Sequence, residues 1–175
     1  MNTTLKTLIL PVLLLSVYPL FSQADEAKTI SWMAWTDAVA LNRENPKKIF
    51  IDVYTEWCGW CKKMDKTTFV DPKVVAFMND NFYAVKFDAE SQIPFTYDDH
   101  EFKYMQMGSR GIHEFAYALL GRRQSYPSYV YMNSDESRIA ISPGFKDAEA
   151  MLRELQFISG NHFEKMTFEE YQKQP

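Results

Sequence analysis

The sequence predicts an α/β fold whose sheet combines parallel and antiparallel strands. Between residues 30 and 90, apolar strand-like runs alternate with helix patterns in the order β-α-β-α-β, and the crossovers are long enough for parallel pairing. Two later runs, over residues 128–132 and 138–141, are joined by a polar turn, which indicates an antiparallel hairpin. Aromatic residues make up 15% of the chain, so a well-filled core is available and disorder is not expected.

The first elements have clear boundaries in the sequence. A short strand is expected at residues 30–33, and Thr36 is the predicted N-cap of a helix that ends before Asn45-Pro46. The apolar run over residues 49–54 is interrupted once, by an aspartate, which is typical of a buried central strand.

Two helices and a strand follow. One helix is predicted to begin at Gly59, and Asp71-Pro72 provides an N-cap and a first-turn proline for the next. The apolar run over residues 82–88 then completes the β-α-β-α-β unit.

The second half of the chain begins with a polar and aromatic segment, residues 91–111, which we interpret as an insertion. A helix is expected over residues 112–120, because its apolar residues recur at helical spacing. His113 lies off this apolar face, which predicts a surface histidine. After the hairpin, a last amphipathic helix is expected over about residues 146–158.

The N-terminal 24 residues differ from the rest. Lys6 is their only charge, and a largely apolar run covers residues 8–21. This run is shorter than the roughly 20 residues of a membrane span, so we expect a cleaved signal peptide, with an uncleaved anchor as the alternative. The predicted organisation is a signal peptide (1–24) and one domain (25–175), with the insertion at 91–111 and a tail at 160–175. Thr167 and Glu170 form a capping-box pattern in this tail.

Charge and composition exclude some partners. The formal net charge is −4, and no basic stripe dominates any segment, so nucleic acid is not an expected partner. We expect a monomer, and no motif calls for a cofactor.

Cys58 and Cys61 are the two cysteines of the chain. A disulfide between them closes a very small loop, so stabilisation of the fold is a weak explanation for the pair. A zinc site needs about four ligands, and the three histidines are scattered without ligand spacing. A cysteine protease needs a positioned histidine, and a nearby second thiol would compete with hydrolysis. Redox chemistry is the favoured interpretation, and metal binding and an inert disulfide remain as alternatives.

The position of Cys58 just before a predicted helix suits thiol–disulfide exchange. The unpaired N–H groups and the dipole of a helix N-terminus favour a thiolate, so the pKa of Cys58 should be depressed. Cys61 lies one turn further along, closer to the core. We therefore expect an exposed Cys58 that attacks a substrate disulfide and a buried Cys61 that resolves the mixed disulfide.

The segment from Ile49 to Lys62, with an aspartate six residues before Cys58 and a tryptophan directly before it, resembles the strand–CxxC–helix signature of the thioredoxin superfamily. Residues 68–74 are similar to an exported subgroup with WCxWCK motifs, and the sequence departs from thioredoxin at Trp60, where thioredoxin has proline. The resemblance covers about residues 30–160. It implies a three-layer sandwich in which helices flank both faces of a central mixed sheet, with the insertion before the strand that carries a cis-proline.

The resemblance also implies roles for individual residues. Asp52 corresponds to the buried acid that assists Cys61, and the alternative is a strand aspartate that makes a structural hydrogen bond. Lys86 matches a lysine that lies near this acid, and the alternative is a solvated strand lysine. Pro127 corresponds to the cis-proline that faces the disulfide. The expected substrate-binding positions are Trp57, Gly59, Trp60, Tyr126, Pro127 and Gly144.

The favoured hypothesis is an exported, most simply periplasmic, oxidoreductase that reduces protein disulfides through a Cys58–Cys61 dithiol. A membrane electron donor of the DsbD type is the partner that the resemblance and the compartment imply. Two alternatives use the CxxC differently: a thioredoxin-fold binding module, and a protein that handles copper or zinc through the two thiolates.

Overall fold

The computed structural model describes residues 29–107, 110–122 and 124–174, so the predicted signal peptide lies outside the described residues. The strands in chain order are β1 (Trp32–Met33), β2 (Lys48–Tyr54), β3 (Phe82–Asp88), β4 (Phe95–Tyr97), β5 (His100–Phe102), β6 (Tyr104–Met107), β7 (Arg110–His113), β8 (Ser128–Met132) and β9 (Arg138–Pro143). The helices are α1 (Trp35–Glu44), α2 (Gly59–Lys66), α3 (Pro72–Asn81), α4 (Glu114–Leu120), α5 (Ala148–Ser159) and α6 (Phe168–Gln172), and 3₁₀ turns cover Thr68–Val70 and His162–Glu164.

Five strands form the central sheet in the order β1-β3-β2-β8-β9. The strands β1, β3 and β2 are parallel, whereas β8 runs antiparallel to both β2 and β9. This arrangement confirms the predicted α/β class, because the first three strands are connected by helical crossovers and the last two form a hairpin.

Two apolar cores cover the two faces of the sheet. Residues of α2, α3 and α5 pack on one face, together with Phe50 of β2. Residues of α1 and α4 pack on the other face, against Ile49, Ile51 and Val53 of the same strand. Because side chains alternate along a strand, Asp52 lies on the Phe50 face, which α2 covers. The three-layer architecture that the resemblance implied is therefore present.

Several element boundaries agree with the sequence. The helix α2 begins at Gly59 and β3 covers residues 82–88, both as predicted. The carboxylate of Asp71 accepts hydrogen bonds from the N–H groups of Lys73 and Val74, which confirms it as the N-cap of α3. The capping box between Thr167 and Glu170 is also formed, at the start of α6.

The first helix begins earlier than expected. Its N-cap is Ala34, which makes no side-chain capping hydrogen bond, so the prediction of Thr36 as the cap is wrong. The burial of Trp35 in the core explains this difference, because packing of that ring brings it into the first turn of the helix.

The insertion before the last hairpin contains two small antiparallel hairpins, β4–β5 and β6–β7. Residues 112 and 113, which were expected in a helix, belong to β7, and α4 begins at Glu114. Aromatic residues of the first hairpin, Phe95 and Phe102, pack against Phe115 of α4. The insertion is therefore attached to the core that lies under α1 and α4.

His113 is fully buried, so the prediction of a surface histidine is wrong. Its ring stacks on Phe95, and its Nδ1 atom accepts a hydrogen bond from the N–H of Phe115. A neutral imidazole then carries its proton on Nε2, which donates to the carbonyl oxygen of Ile93 at 3.2 Å. The sequence pattern failed here because residue 113 is a helix N-cap and not part of the helix.

Candidate active site

A disulfide joins Cys58 and Cys61, whose Cα atoms are 5.3 Å apart. It lies just beyond the carboxyl end of β2, where open α/β sheets place their ligands. Cys58 is the N-cap of α2, and its sulfur accepts a hydrogen bond from the N–H of Cys61 at 3.1 Å. A thiolate at this position would therefore receive both a direct hydrogen bond and the field of the helix N-terminus.

Both sulfur-bearing residues are shielded in this disulfide form. Cys58 is only 4% exposed and Cys61 3% exposed, so the expected contrast between an exposed and a buried cysteine is not present. The Cys58 sulfur is directed into the first turn of α2, because it is bonded to Cys61 and accepts the Cys61 N–H. The neighbouring Trp57 and Trp60 are each more than half exposed.

The buried Asp52 and the partly exposed Lys86 form an ion pair beneath α2. The Lys86 Nζ atom lies 3.0 Å from Asp52 Oδ2, and it also pairs with the carboxylate of Asp65 on α2. Asp52 and Lys86 are directly opposite each other in the register of β2 and β3. The structure thus places Lys86 next to Asp52, as the resemblance implied. It also places Asp65 beside Lys86, a contact that the sequence did not indicate.

The second carboxylate oxygen of Asp52 is buried without a hydrogen-bond partner among the described residues. Burial raises the pKa of Asp52 from 3.8 to about 6, although the nearby Lys86 opposes this rise. At neutral pH the group is therefore mostly a carboxylate. It binds a proton more tightly than an ordinary aspartate does, and one of its oxygens has no hydrogen-bond partner among the described residues. These are the properties required of a group that takes a proton from a buried thiol.

The pKa of Lys86 is raised although burial acts to lower it, because Asp52 and Asp65 stabilise its ammonium form. The ammonium group also lies 5.0 Å from the centres of the Trp32 and Tyr54 rings. Lys86 is therefore a fixed positive charge next to Asp52, which corrects the alternative of a freely solvated lysine.

The Tyr126-Pro127 peptide bond is cis, as the resemblance implied. Pro127 is buried, and its carbonyl oxygen accepts a hydrogen bond from the N–H of Gly144 at 2.8 Å. Gly144 has a φ of +95°, a conformation that other residues rarely adopt. The position of Gly144 next to the proline loop therefore depends on its being glycine.

The main chain of Tyr126 offers free polar groups beside this proline. Pro127 has no N–H, and its carbonyl is already used, whereas no described residue hydrogen-bonds to the main chain of Tyr126. An extended segment of another protein could pair with this short edge as an added strand.

Two clusters of aromatic rings and cations form around Trp57, which directly precedes Cys58, and Trp60, which directly precedes Cys61. The Trp57 ring packs edge-on against Tyr126 and under the Arg110 guanidinium, and its indole N–H donates to Glu90. In the second cluster, the centres of the Trp60 and Phe145 rings are 5.2 Å apart, and the Lys63 ammonium lies over both of these rings.

Sequence reasoning missed Arg110, Glu90 and Phe145. Phe145 directly follows Gly144, and this adjacency could have indicated it. Glu90 lies two residues after the end of β3, next to the carboxyl end of β2, and this position could also have indicated it. Arg110 reaches the site through the fold of the insertion, for which the sequence contains no local signal.

The expected substrate-binding residue Gly59 opens α2, and no heavy atom lies within 4 Å of the position of an added Cβ. In the part of the chain that the structure describes, no three His, Cys, Asp or Glu side chains are grouped so as to hold a metal ion. None of the helices in residues 29–107, 110–122 and 124–174 is long and apolar enough to cross a membrane.

Comparison with known families gives a clear assignment. A family model described as Thioredox_DsbH, a protein of unknown function (DUF255), matches residues 14–157. The chain belongs to this family. The predicted membership of the thioredoxin superfamily is confirmed, and thiol–disulfide exchange is the chemistry that the Thioredox_DsbH family, the fold and the CxxC disulfide together support.

Three solved structures share the fold. A DsbH oxidoreductase has a TM-score of 0.55 at 16% identity, with 79% of this chain and 90% of that chain covered. A thioredoxin from Thermus thermophilus has a TM-score of 0.54 at 17% identity and 73% and 85% coverage. A putative disulphide-isomerase from Bacteroides thetaiotaomicron has a TM-score of 0.53 at 22% identity and 74% and 90% coverage. At these identities the similarity establishes the thioredoxin fold.

A curated relative matches over a shorter segment. Uncharacterized protein B0495.5 of Caenorhabditis elegans is 36% identical over 64 residues, which make up 36% of this chain and 9% of that protein. The chain therefore matches only a small part of the length of this relative.

Proposed function

We propose that the protein is an exported thiol–disulfide oxidoreductase that reduces disulfides in other proteins. The observation that carries this proposal is the Cys58–Cys61 disulfide, whose Cys58 sulfur caps α2. A pair that can interconvert between dithiol and disulfide at a helix N-terminus has the electrostatic environment of a reactive thiolate.

The reaction begins with the reduced protein. The Cys58 thiolate attacks one sulfur of the substrate disulfide, so that a mixed disulfide forms and the first substrate thiolate leaves. The Cys61 thiol gives its proton to Asp52, and the resulting thiolate attacks the Cys58 sulfur. The Cys58–Cys61 disulfide then forms, the second substrate thiolate leaves, and two electrons have passed from the protein to the substrate. Asp52 then releases the Cys61 proton, and the substrate thiolates take up this proton and one from solvent, which replaces the proton that Cys58 lost when it ionised.

The surroundings of the CxxC motif suit a protein substrate. The Tyr126 main chain can pair with an extended segment, and the exposed Trp57 and Trp60 provide apolar contacts. Gly144 keeps the Pro127 loop in place through its N–H. Gly59 leaves open space at the start of α2.

The direction of electron flow follows from the resemblance of the Asp52 site to thioredoxin. We expect a reduction potential closer to the ~−270 mV of thioredoxin than to the ~−120 mV of strongly oxidising periplasmic proteins. Equilibration of the pair with glutathione buffers measures this potential. Export to the periplasm after removal of residues 1–24, and re-reduction by a membrane donor of the DsbD type, complete the proposal.

Reduction of insulin tests the activity. The wild-type protein should accelerate precipitation of the insulin B chain with dithiothreitol as the electron donor, and Cys58→Ser should abolish this acceleration. Arg43→Gln, which removes an exposed charge at the far end of α1, is the control and should act like the wild type. Wild-type activity no greater than that of Cys58→Ser would overturn the proposal.

A further inference from the structure

A groove of about 450 Å³ opens next to the CxxC motif, between the motif and the insertion. Its walls include Trp57, which precedes Cys58, and Tyr126, which precedes the cis-proline. Met107, Arg110 and Ile112 of the β6–β7 hairpin form the remaining wall. The groove therefore lies where the residues that flank a bound substrate cysteine would extend.

Arg110 is an exposed cation without a carboxylate partner in this groove. Its guanidinium carbon lies 4.8 Å from the centre of the Trp57 ring, and this cation–π contact holds the group at the groove. Within residues 29–107, 110–122 and 124–174, no Asp or Glu oxygen lies within ion-pair distance of it. Its N–H donors are therefore not paired with a carboxylate, and a guanidinium matches the geometry of a carboxylate ligand.

Glu90 contributes the opposite charge to the same groove, but its carboxylate is already engaged. One oxygen accepts the indole N–H of Trp57 at 3.0 Å. The role of Glu90 in the free protein is thus to orient Trp57, which in turn supports Arg110. An acidic ligand would be attracted by Arg110 and repelled by Glu90, so the two residues give opposite predictions on substitution.

We propose that this groove is a substrate subsite that takes an acidic side chain next to the cysteine that Cys58 attacks. The inference rests on the proposed function and names its substrate class: disulfides in extended, locally acidic segments of proteins. The segment pairs with the free main chain of Tyr126, and its carboxylate binds the edge of the Arg110 guanidinium while its aliphatic part packs against Met107 and Ile112.

Competing short peptides test this subsite. Each peptide forms a disulfide-linked dimer and carries Glu, Gln or Lys at the positions that flank its cysteine, and kcat/KM for reduction is measured for each. The wild-type protein should prefer the Glu peptide over the Lys peptide by roughly fivefold, the effect of a partly exposed ion pair. The preference should weaken as salt is added.

The variants separate the contributions of the two charges. Arg110→Gln should lower the Glu-to-Lys ratio of kcat/KM to about one or below, because the negative charge of Glu90 remains, and Arg110→Glu should lower this ratio further. Glu90→Gln, which retains an acceptor for Trp57, should increase the ratio. Arg43→Gln should leave it at the wild-type value. The ratio of two substrates cancels any general loss of activity or of folded protein.

The outcomes are distinct. Equal discrimination by the wild type and Arg110→Gln would overturn the subsite while insulin reduction still supports the proposed function. Reduction of neither insulin nor any peptide would overturn both.

Discussion

At the scale of single residues, the energetics of the site centre on Asp52. Its carboxylate is fully buried, one of its oxygens pairs with Lys86, and the other has no partner among the described residues. The rise of its pKa from 3.8 to about 6 corresponds to about 3 kcal/mol of folding free energy that is lost when the group ionises. The residue is thus unfavourable for stability and useful for proton transfer.

Replacement of Asp52 by Asn should therefore lower activity and raise stability. The wild-type folded state binds a proton more tightly than the unfolded chain does, so its stability falls as the pH rises from about 4 to about 6. Asp52→Asn removes this loss, and its free energy of unfolding should exceed the wild-type value by up to about 3 kcal/mol at pH 8, with the difference falling to about 0.5 kcal/mol at pH 4. Urea unfolding at both pH values measures this.

The same variant should slow insulin reduction by about a hundredfold, because Cys61 loses its proton acceptor. The wild-type rate of the resolving step should fall as the pH drops through about 6, and the variant should lack this inflection. Asp80→Asn, at an exposed position in the last turn of α3, should leave the rate of insulin reduction unchanged and should leave stability the same or slightly higher. A variant that is stabilised but fully active would show that Asp52 does not assist Cys61.

His113 shows a second residue whose burial decides its role. It caps α4, stacks on Phe95 and donates to the carbonyl of Ile93, so it fastens the insertion to the core. Burial lowers the pKa of His113. The unfolded chain therefore takes up a proton at a higher pH than the folded protein does, and stability is lost as the pH falls below about 6.5.

The variant His113→Leu keeps the bulk of the side chain but leaves the Ile93 carbonyl and the Phe115 N–H without partners. In urea unfolding, this variant should have a free energy of unfolding about 2–3 kcal/mol below the wild-type value at pH 7.5. The difference should be smaller at pH 5.5, because the wild-type protein itself loses stability there. His100→Leu is the control, because His100 is largely exposed and should change stability by less than about 0.5 kcal/mol. Equal effects of the two substitutions would contradict the role assigned to His113.

At the scale of elements, local sequence signals predict where two helices near the site begin. The glycine at position 59 and the Asp71-Pro72 pair predict the N-termini of α2 and α3, and both helices begin there. The two hairpins of the insertion have strands of three or four residues, which are too short for a period-two pattern to emerge. Their form depends on tertiary contacts, such as those of Phe95 with Phe87 of β3 and with Phe115 of α4, which a local pattern does not encode.

The cap of α3 allows a direct test of this local control. Asp71→Ala removes the acceptor for the Lys73 and Val74 N–H groups and should lower the free energy of unfolding by about 1 kcal/mol. Asp80→Ala in the last turn of the same helix removes a carboxylate from the negative end of the dipole, so stability should stay the same or rise slightly. Thermal unfolding of both variants at neutral pH measures the difference.

At the scale of the whole molecule, the fold class, the CxxC position and the cis peptide before Pro127 agree with the sequence-based expectations. Two features of the site could not be predicted. The shielding of Cys58 depends on the disulfide directing its sulfur into α2, and the Trp57–Arg110 contact depends on how the insertion folds back. Both arise from tertiary contacts that no local pattern encodes.

The proposed mechanism requires that Cys58 attacks first and that Cys61 resolves the mixed disulfide. Reduced Cys61→Ser and Cys58→Ser are each mixed with a disulfide-linked peptide, and the protein masses are followed with time. Cys61→Ser should accumulate one peptide adduct on Cys58, because the resolving thiol is absent, whereas Cys58→Ser should remain largely unmodified. Equal adduct formation on both variants, or adducts only on Cys58→Ser, would contradict the assignment of Cys58 as the attacking residue.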